Sequence, residues 1–204
     1  MLKTVKICGI KLPQNIFSIE KLIPYFVGFI FYTYSHRFIG LILPIETQVK
    51  KVGVFVNNSI ENILKIKKKY AIDFVQLHGD ESIKFCEELY KNNMSIIKVF
   101  RVNEPLVFFK KKYINYSLFF FYLFDTYCIN YGGSGKKFSW YKIIEYPFNI
   151  PFFLSGGIET KDVNKIKIIF NMKYFGIDLN SKFEIESINK NRDELRRFIQ
   201  KISL

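Results

Sequence analysis

No apolar run in this chain is long enough to cross a bilayer. The longest, Ile23 to Phe31 and Leu118 to Phe124, fall well short of the roughly 20 residues a span needs and read as buried strands. The amino terminus is broken by Lys3 and Lys6 and lacks the apolar centre of a signal peptide, so a cytoplasmic protein with no membrane partner is expected. Cysteine is scarce: Cys8, Cys86 and Cys128 are odd in number and unrelated in spacing, which argues against a disulfide framework and suits a reducing compartment. No Cys/His set has metal-ligand spacing, and no metal is expected. There is no Pro/Gly/Ser-rich linker and no low-complexity tract, so residues 1–204 are read as one domain.

Clustering of charge is missing too. The net charge of +13 invites a nucleic-acid reading, because grouped Lys and Arg release counterions from phosphates. Here the two basic runs, Lys65 to Lys69 and Lys110 to Lys112, sit in helix-like stretches, where such runs are ordinarily solvated faces. The chain also leans on Phe (23), Tyr (13), Ile, Asn and Lys throughout, a drift that accounts for the excess without a nucleic-acid partner.

What is present is a repeated pattern. With 204 residues, 49% hydrophobic and 24% charged, the chain has the balance of a globular protein. Eight short apolar runs end at a Gly or a polar residue: Thr4 to Cys8, Phe26 to Phe31, Val52 to Val56, Phe74 to Leu77, Ser95 to Phe100, Leu118 to Phe124, Phe152 to Leu154 and Tyr174 to Leu179. Their near-continuous apolar character is that of parallel strands covered on both faces. Helical signals lie between them. Asn58 stands as a cap before Ile60, Ile63 and Leu64, with Glu61 placed as in a capping box; Asp80 caps a stripe of Ile83, Cys86, Leu89 and Tyr90; Thr160 caps Val163, Ile166 and Ile169. Between Pro13 and Pro24 only a short helix fits, around Ile16 to Ile23. Strand then helix, eight times, predicts an α/β fold, a (β/α)8 TIM barrel at the small end of its size range.

In such a barrel all strands end on one face, so residues far apart in sequence share a pocket. Cys8 ends the first run directly before Gly9, facing that pocket, although a lone cysteine is often just a small buried hydrophobe. Cys86, mid-helix on an apolar stripe, reads as core. Asp125 closes the most hydrophobic run of the chain, where low-dielectric surroundings raise a carboxylate's pKa and suit it to proton transfer; the plain alternative is a helix cap. Arg37, just past the second strand, is placed to pair with a substrate carboxylate or to be an ordinary surface Arg. Gln76 and His78 point the same way by strand alternation. Gly156-Gly157 follows the seventh strand and, with the turn after Asp178 that holds Asn180 and Ser181, matches the usual phosphate cradle of the fold. Tyr131 to Lys136 fails as a P-loop, since Asn130 stands where its first Gly belongs and Lys137 where its Ser/Thr belongs. It reads as a loop over the pocket that brings Ser134 or Lys136 to substrate.

These strings, in this order, resemble phosphoribosylanthranilate isomerase of tryptophan biosynthesis over essentially the whole chain. They are Lys6-Ile7-Cys8-Gly9-Ile10, Gly28 to Tyr32 with Ser35-His36-Arg37, Val52 to Asn57, Val75 to Glu81, Phe124-Asp125 with Gly132 to Lys136, Leu154 to Gly157, and Gly176-Ile177-Asp178. The resemblance implies a general base at Cys8, a general acid at Asp125, and Arg37 on the anthranilate carboxylate. It implies a small phosphoribosyl substrate, an Amadori rearrangement, and no cofactor, because the imine formed on ring opening is itself the electron sink. A monomer and a homodimer are both compatible with it.

The chain departs from the family's pattern in two places. After Gly9 it carries Ile10-Lys11-Leu12-Pro13 in place of a Thr-Arg pair, and after Asn180-Ser181 it carries Lys182-Phe183 where the family keeps a small Gly before its Glu. Two other readings compete. Indoleglycerol-phosphate synthase chemistry would need a catalytic Lys at a strand end, for which mid-strand Lys98 is the poor candidate. A decayed barrel kept as a nucleic-acid or scaffold partner would not need Cys8, Asp125 and Arg37 together.

Overall fold

The structure, a computed structural model, describes residues 4–40, 46–102, 117–129, 131, 135, 137–145, 150–170, 175–186 and 188–203. Eight parallel strands close into a barrel in sequence order, β1 (Val5–Ile7), β2 (Phe26–Ile30), β3 (Lys50–Phe55), β4 (Phe74–Leu77), β5 (Ser95–Val102), β6 (Phe119–Thr126), β7 (Phe152–Leu154) and β8 (Phe175–Leu179). The seam between β8 and β1 pairs Lys6 with Asp178 and Ile7 with Leu179. The expected fold is thus the one observed. β6 runs on to Thr126, so Asp125 lies inside the strand, opposite Arg101 of β5, where its direction is set by the sheet.

Side-chain alternation divides the core in two. One face of each strand packs outward under the helices, with Ile7, Val27, Phe55, Leu77, Phe124 and Leu154 all buried there. The other face fills the barrel: Phe26, Val52, Ile97, Val99, Leu123 and Phe153 form its apolar floor. The Phe26 ring meets Phe74, Phe121 and Phe153 edge to face at 5.2, 5.8 and 5.6 Å, pairs that each add roughly 0.5–1.5 kcal/mol beyond area burial. Above this floor the interior turns polar, with Lys6, Gln76 and Asp178 all buried.

The helices are α1 (Pro13–Glu20), α2 (Ile60–Tyr70), α3 (Ile83–Lys91), α4 (Val163–Phe170) and α5 (Arg192–Ser203), with a 3-10 helix Trp140–Glu145 between β6 and β7. Several expected boundaries shift. α1 starts at Pro13 because proline at the first turn loses no hydrogen bond. α2 is capped by Ser59, whose hydroxyl accepts from Asn62 N–H, since Asn58 Oδ1 is occupied by Ser59 N–H and Asn62 Nδ2; this one-residue shift removes the Glu61 capping box. α3 is capped by Ser82 and not Asp80, and Tyr90 falls off its buried stripe and is exposed. Before α4, a 3-10 turn Thr160–Asp162 has Glu159 as its cap, boxed with Asp162, while Thr160 Oγ1 donates to Glu194. Lys65, Lys68 and Lys69 lie on the exposed face of α2, as expected; Lys110 to Lys112 lie outside the described residues. Among the described residues no helix is long and apolar enough to cross a membrane.

A hairpin near the end of the barrel was not foreseen. Between β8 and α5 the chain forms a two-stranded antiparallel hairpin, β9 (Glu184–Glu186) and β10 (Asn189–Lys190), which pairs Glu184 with Lys190.

Candidate active site

The carboxyl-terminal ends of the strands open into one cleft lined by Cys8, Arg37, Gln76, His78, Asp125, Gly156, Gly157, Asp178, Asn180, Ser181 and Lys182, with Tyr32, Tyr34 and Tyr131 at its rim. All the site residues expected from sequence meet here except Ser134, which with Lys136 lies outside the described residues. Several of them are also bound to one another, and those contacts set what each can do.

Cys8 follows β1 and is buried, its amide donating to Leu179 O at 2.8 Å. Its thiol fits because β2 carries a glycine at the facing position: a Cβ on Gly28 would lie 2.7 Å from Sγ. Burial pushes the thiol pKa up; Lys6 pulls it down, Asp178 pushes it up, and Lys190 pulls it down. Lys6 Nζ donates to Asp178 Oδ1 at 2.8 Å, both side chains being nearly inaccessible to solvent. Asp178, expected on substrate, is therefore tied to the barrel interior by Lys6. Burial raises its carboxyl against the opposing pull of that ammonium.

Across the cleft, His78 Nε2 lies 3.3 Å from Asp125 Oδ2, and Asp125 Oδ1 accepts from Thr126 N–H at 2.9 Å. Gln76 Nε2 lies 3.2 Å from His78 Nδ1. An amide nitrogen only donates, so in this orientation Nδ1 accepts and Nε2 carries the hydrogen that reaches the Asp125 carboxylate. Among the described residues, Gln76 Oε1 then has no hydrogen-bond partner, although it is buried.

Arg37 is not free. Its Nε and Nη2 grip Glu184 at 2.8 and 2.5 Å, fork to fork, in a nearly dry environment. Lys190 Nζ, also buried, donates to the same carboxylate at 2.7 Å and to Asn180 Oδ1 at 2.8 Å. Sequence reasoning passed over Glu184 and Lys190, because the hairpin that carries them has no strong strand signal. The available clue was the pattern of charged residues flanking two short β-compatible stretches.

At the other end, Gly156 and Gly157 take φ of +91° and +65°, a conformation side chains avoid, and a Cβ on Gly156 would strike Thr126 Oγ1 at 2.4 Å. Beside this turn Glu159 accepts from Lys137 and Lys161 at 2.9 and 2.7 Å, which hold its carboxyl down at about 2. Lys182 Nζ is 3.9 Å from Glu159 and reaches over Gly135, where a Cβ would lie 3.3 Å from its Cε. Lys98, the candidate for a different chemistry, donates to Glu81 at 2.9 Å and to Gly79 O, holding together the β4 and β5 ends outside this cleft.

A closed eight-stranded barrel that gathers a thiol, a histidine–carboxyl pair and a glycine turn at one mouth has the layout of a barrel enzyme, whose active sites lie at this face. The family model for N-(5'phosphoribosyl)anthranilate (PRA) isomerase matches residues 5–201. An N-(5'-phosphoribosyl)anthranilate isomerase from Parabacteroides distasonis is 42% identical over 97% of this chain and 92% of its own length. Among solved structures, phosphoribosyl anthranilate isomerase from Thermotoga maritima superposes with a TM-score of 0.82 at 32% identity, covering 100% of this chain and 99% of the other. Another such isomerase, in complex with reduced 1-(o-carboxyphenylamino)-1-deoxyribulose 5-phosphate, gives 0.80 at 28%, with the same coverage. The chain belongs to the N-(5'-phosphoribosyl)anthranilate isomerase family, and is an isomerase of tryptophan biosynthesis.

Proposed function

We propose that this protein performs the Amadori rearrangement of N-(5'-phosphoribosyl)anthranilate to 1-(2-carboxyphenylamino)-1-deoxyribulose 5-phosphate, with Asp125 as general acid and Cys8 as general base. The observation that carries the reading is that Cys8 and Asp125 line one cleft from β1 and β6, with the Gly156-Gly157 turn in its wall. Asp125 protonates the furanose ring oxygen as its bond to C1' breaks and the aryl nitrogen becomes a protonated imine. The Cys8 thiolate then takes the C2' proton. Its electron pair becomes a C1'–C2' double bond, the imine bond collapses onto nitrogen, and the resulting enol relaxes to the ketose. No oxidant or reductant enters.

The hydrogen bonds around Asp125 suit a group that alternates between acid and carboxylate. As carboxylate it accepts from His78 Nε2–H, with Gln76 Nε2 on Nδ1. Once protonated it keeps lone pairs with which to accept the same Nε2–H, so its own proton is left for the ring oxygen of the substrate.

The phosphate is assigned to the Gly156-Gly157 turn with Asn180 and Ser181, where backbone N–H groups can approach closely. The carboxylate of the anthranilate ring is assigned to Arg37. A reducing cytoplasm keeps Cys8 a free thiol. The test is a direct assay that follows loss of phosphoribosylanthranilate fluorescence with purified protein. Turnover supports the reading, and absence of turnover by folded protein removes it.

A further inference from the structure

Arg101 and Asp80 stand outside the cleft lining, in a neighbouring hollow with Glu81, Lys98 and Tyr127. They come from the ends of two adjacent strands. Asp80 follows β4, where its N–H donates to Asn57 Oδ1 at 2.8 Å, and Arg101 is the penultimate residue of β5. Arg101 Nη2 donates to Asp80 Oδ1. The other carboxylate oxygen, Oδ2, accepts from the hydroxyl of Tyr131, which does line the cleft.

Arg101 also meets the chain that follows β6 directly. Its guanidinium carbon lies over the Tyr131 ring, 4.3 Å from the centroid, and over the Tyr127 ring at 5.5 Å. Its Nη1 reaches Cys128 O at 3.5 Å, the carbonyl that accepts Tyr131 N–H at 3.3 Å and so closes a turn. An exposed ion pair alone holds little, and the Asp80 side chain is 61% exposed. The Arg101 side chain is only 15% exposed, which strengthens a cation over an aromatic face. Ring, hydroxyl and turn are therefore held together from one guanidinium. The backbone of Tyr131 needs that hold: its φ of +54° lies in the left-handed region that bulky side chains avoid, and such a conformation persists only where its surroundings fix it.

The Tyr131 ring meets Tyr32 edge on at 6.4 Å, and Tyr32 meets Tyr34 at 5.5 Å. All three line the cleft with Arg37, to which the aryl carboxylate is assigned above. We propose that Arg101 and Asp80 are positioning residues that latch Tyr131 into the cleft wall, where it and Tyr32 form the face that receives the aryl ring of the substrate. That ring is the one in the phosphoribosylanthranilate reading, on which this assignment rests; the latch itself is a matter of the contacts just given. The aryl ring carries none of the carbons between which the proton moves, so the wall binds ground and transition states alike and its loss shows in KM.

The experiment makes two measurements on Arg101→Met, which keeps an apolar stem without charge or donors. Amide hydrogen exchange, read by mass spectrometry on peptides covering residues 127–131, follows the turn without substrate, and should quicken about tenfold as the turn opens. Steady-state kinetics should show KM for phosphoribosylanthranilate raised about fivefold, with kcat within about twofold of wild type. Tyr131→Ala should raise KM as well. Adding Arg101→Met to it should raise KM no further, because a residue that acts through Tyr131 has no effect once the ring is gone. Unchanged exchange in Arg101→Met would overturn the latch. Faster exchange with an unaltered KM, or effects on KM that multiply in the double variant, would overturn its role in binding. A wild-type protein that does not turn over phosphoribosylanthranilate would instead remove the substrate assignment, and hydrogen exchange would still decide whether Arg101 holds the turn.

Discussion

His78 Nε2 and Asp125 Oδ2 stand 3.3 Å apart at the ends of β4 and β6, with Gln76 behind the imidazole at 3.2 Å. The carboxyl is thereby held by a ring whose tautomer depends on the amide behind it. Asp125→Asn should lower turnover by roughly 100-fold or more, the usual contribution of a positioned acid. Gln76→Met, which touches neither reacting atom, should cost about tenfold in kcat, because His78 loses its tautomer control. Steady-state kinetics on both variants checks this, and a Gln76→Met protein with unchanged kcat would leave Asp125 independent of the Gln76–His78 contact.

Gly28 gives a second test, through packing. Gly28→Ala places a methyl 2.7 Å from Cys8 Sγ, and the thiol must move. We expect a stability loss of about 1–3 kcal/mol from overpacking. The loss of turnover should be larger than that destabilisation explains, since the protein remains folded at assay temperature. Denaturant unfolding and turnover, measured on the same preparation, separate the two.

Stability in acid should depend on Glu159. Hydrogen bonds from Lys161 and Lys137 hold its carboxyl at about 2, below its ordinary value of 4.5. A depressed carboxyl stabilises the fold fully above the unfolded value, and that contribution is lost as pH falls from about 4.5 to about 2. Partial exposure makes the effect modest. Glu159→Gln should flatten the acid side of the stability curve in that window, as read by thermal unfolding at successive pH values.

Lys182 lines the cleft near the glycine turn, 3.9 Å from Glu159 Oε1, and the other oxygen of that carboxylate, Oε2, is held by Lys137 and Lys161. Lys182→Ala should raise KM with kcat nearly unchanged, since the phosphate is held equally in ground and transition states. The difference from wild type should shrink as salt rises. An unaltered KM at low ionic strength would leave the phosphate to the glycine turn and its neighbours.

The barrel was legible in the sequence because each strand is an apolar run closed by a polar stop, and parallel strands buried on both faces need little else. Cys8, Asp125 and the glycine turn were legible for the same reason, as chemistry standing at strand ends. Helix caps were read one or two residues early, at Asn58 and Asp80, because a cap is decided by backbone angles that several polar neighbours could satisfy. The roles of Arg37 and Asp178 were only half visible: their partners, Glu184 and Lys6, lie 147 and 172 residues away in sequence, and barrel closure alone brings them together. Lys190 gave no signal, since a buried lysine looks like any other in a chain this rich in lysine.

Proton abstraction in this cleft depends on the thiol of Cys8. Purified Cys8→Ala protein, shown to be folded by circular dichroism and thermal unfolding, should leave phosphoribosylanthranilate fluorescence unchanged while the wild-type protein consumes it. Turnover at the wild-type rate by that folded variant would contradict the assignment of the base and, with it, the mechanism drawn from this cleft.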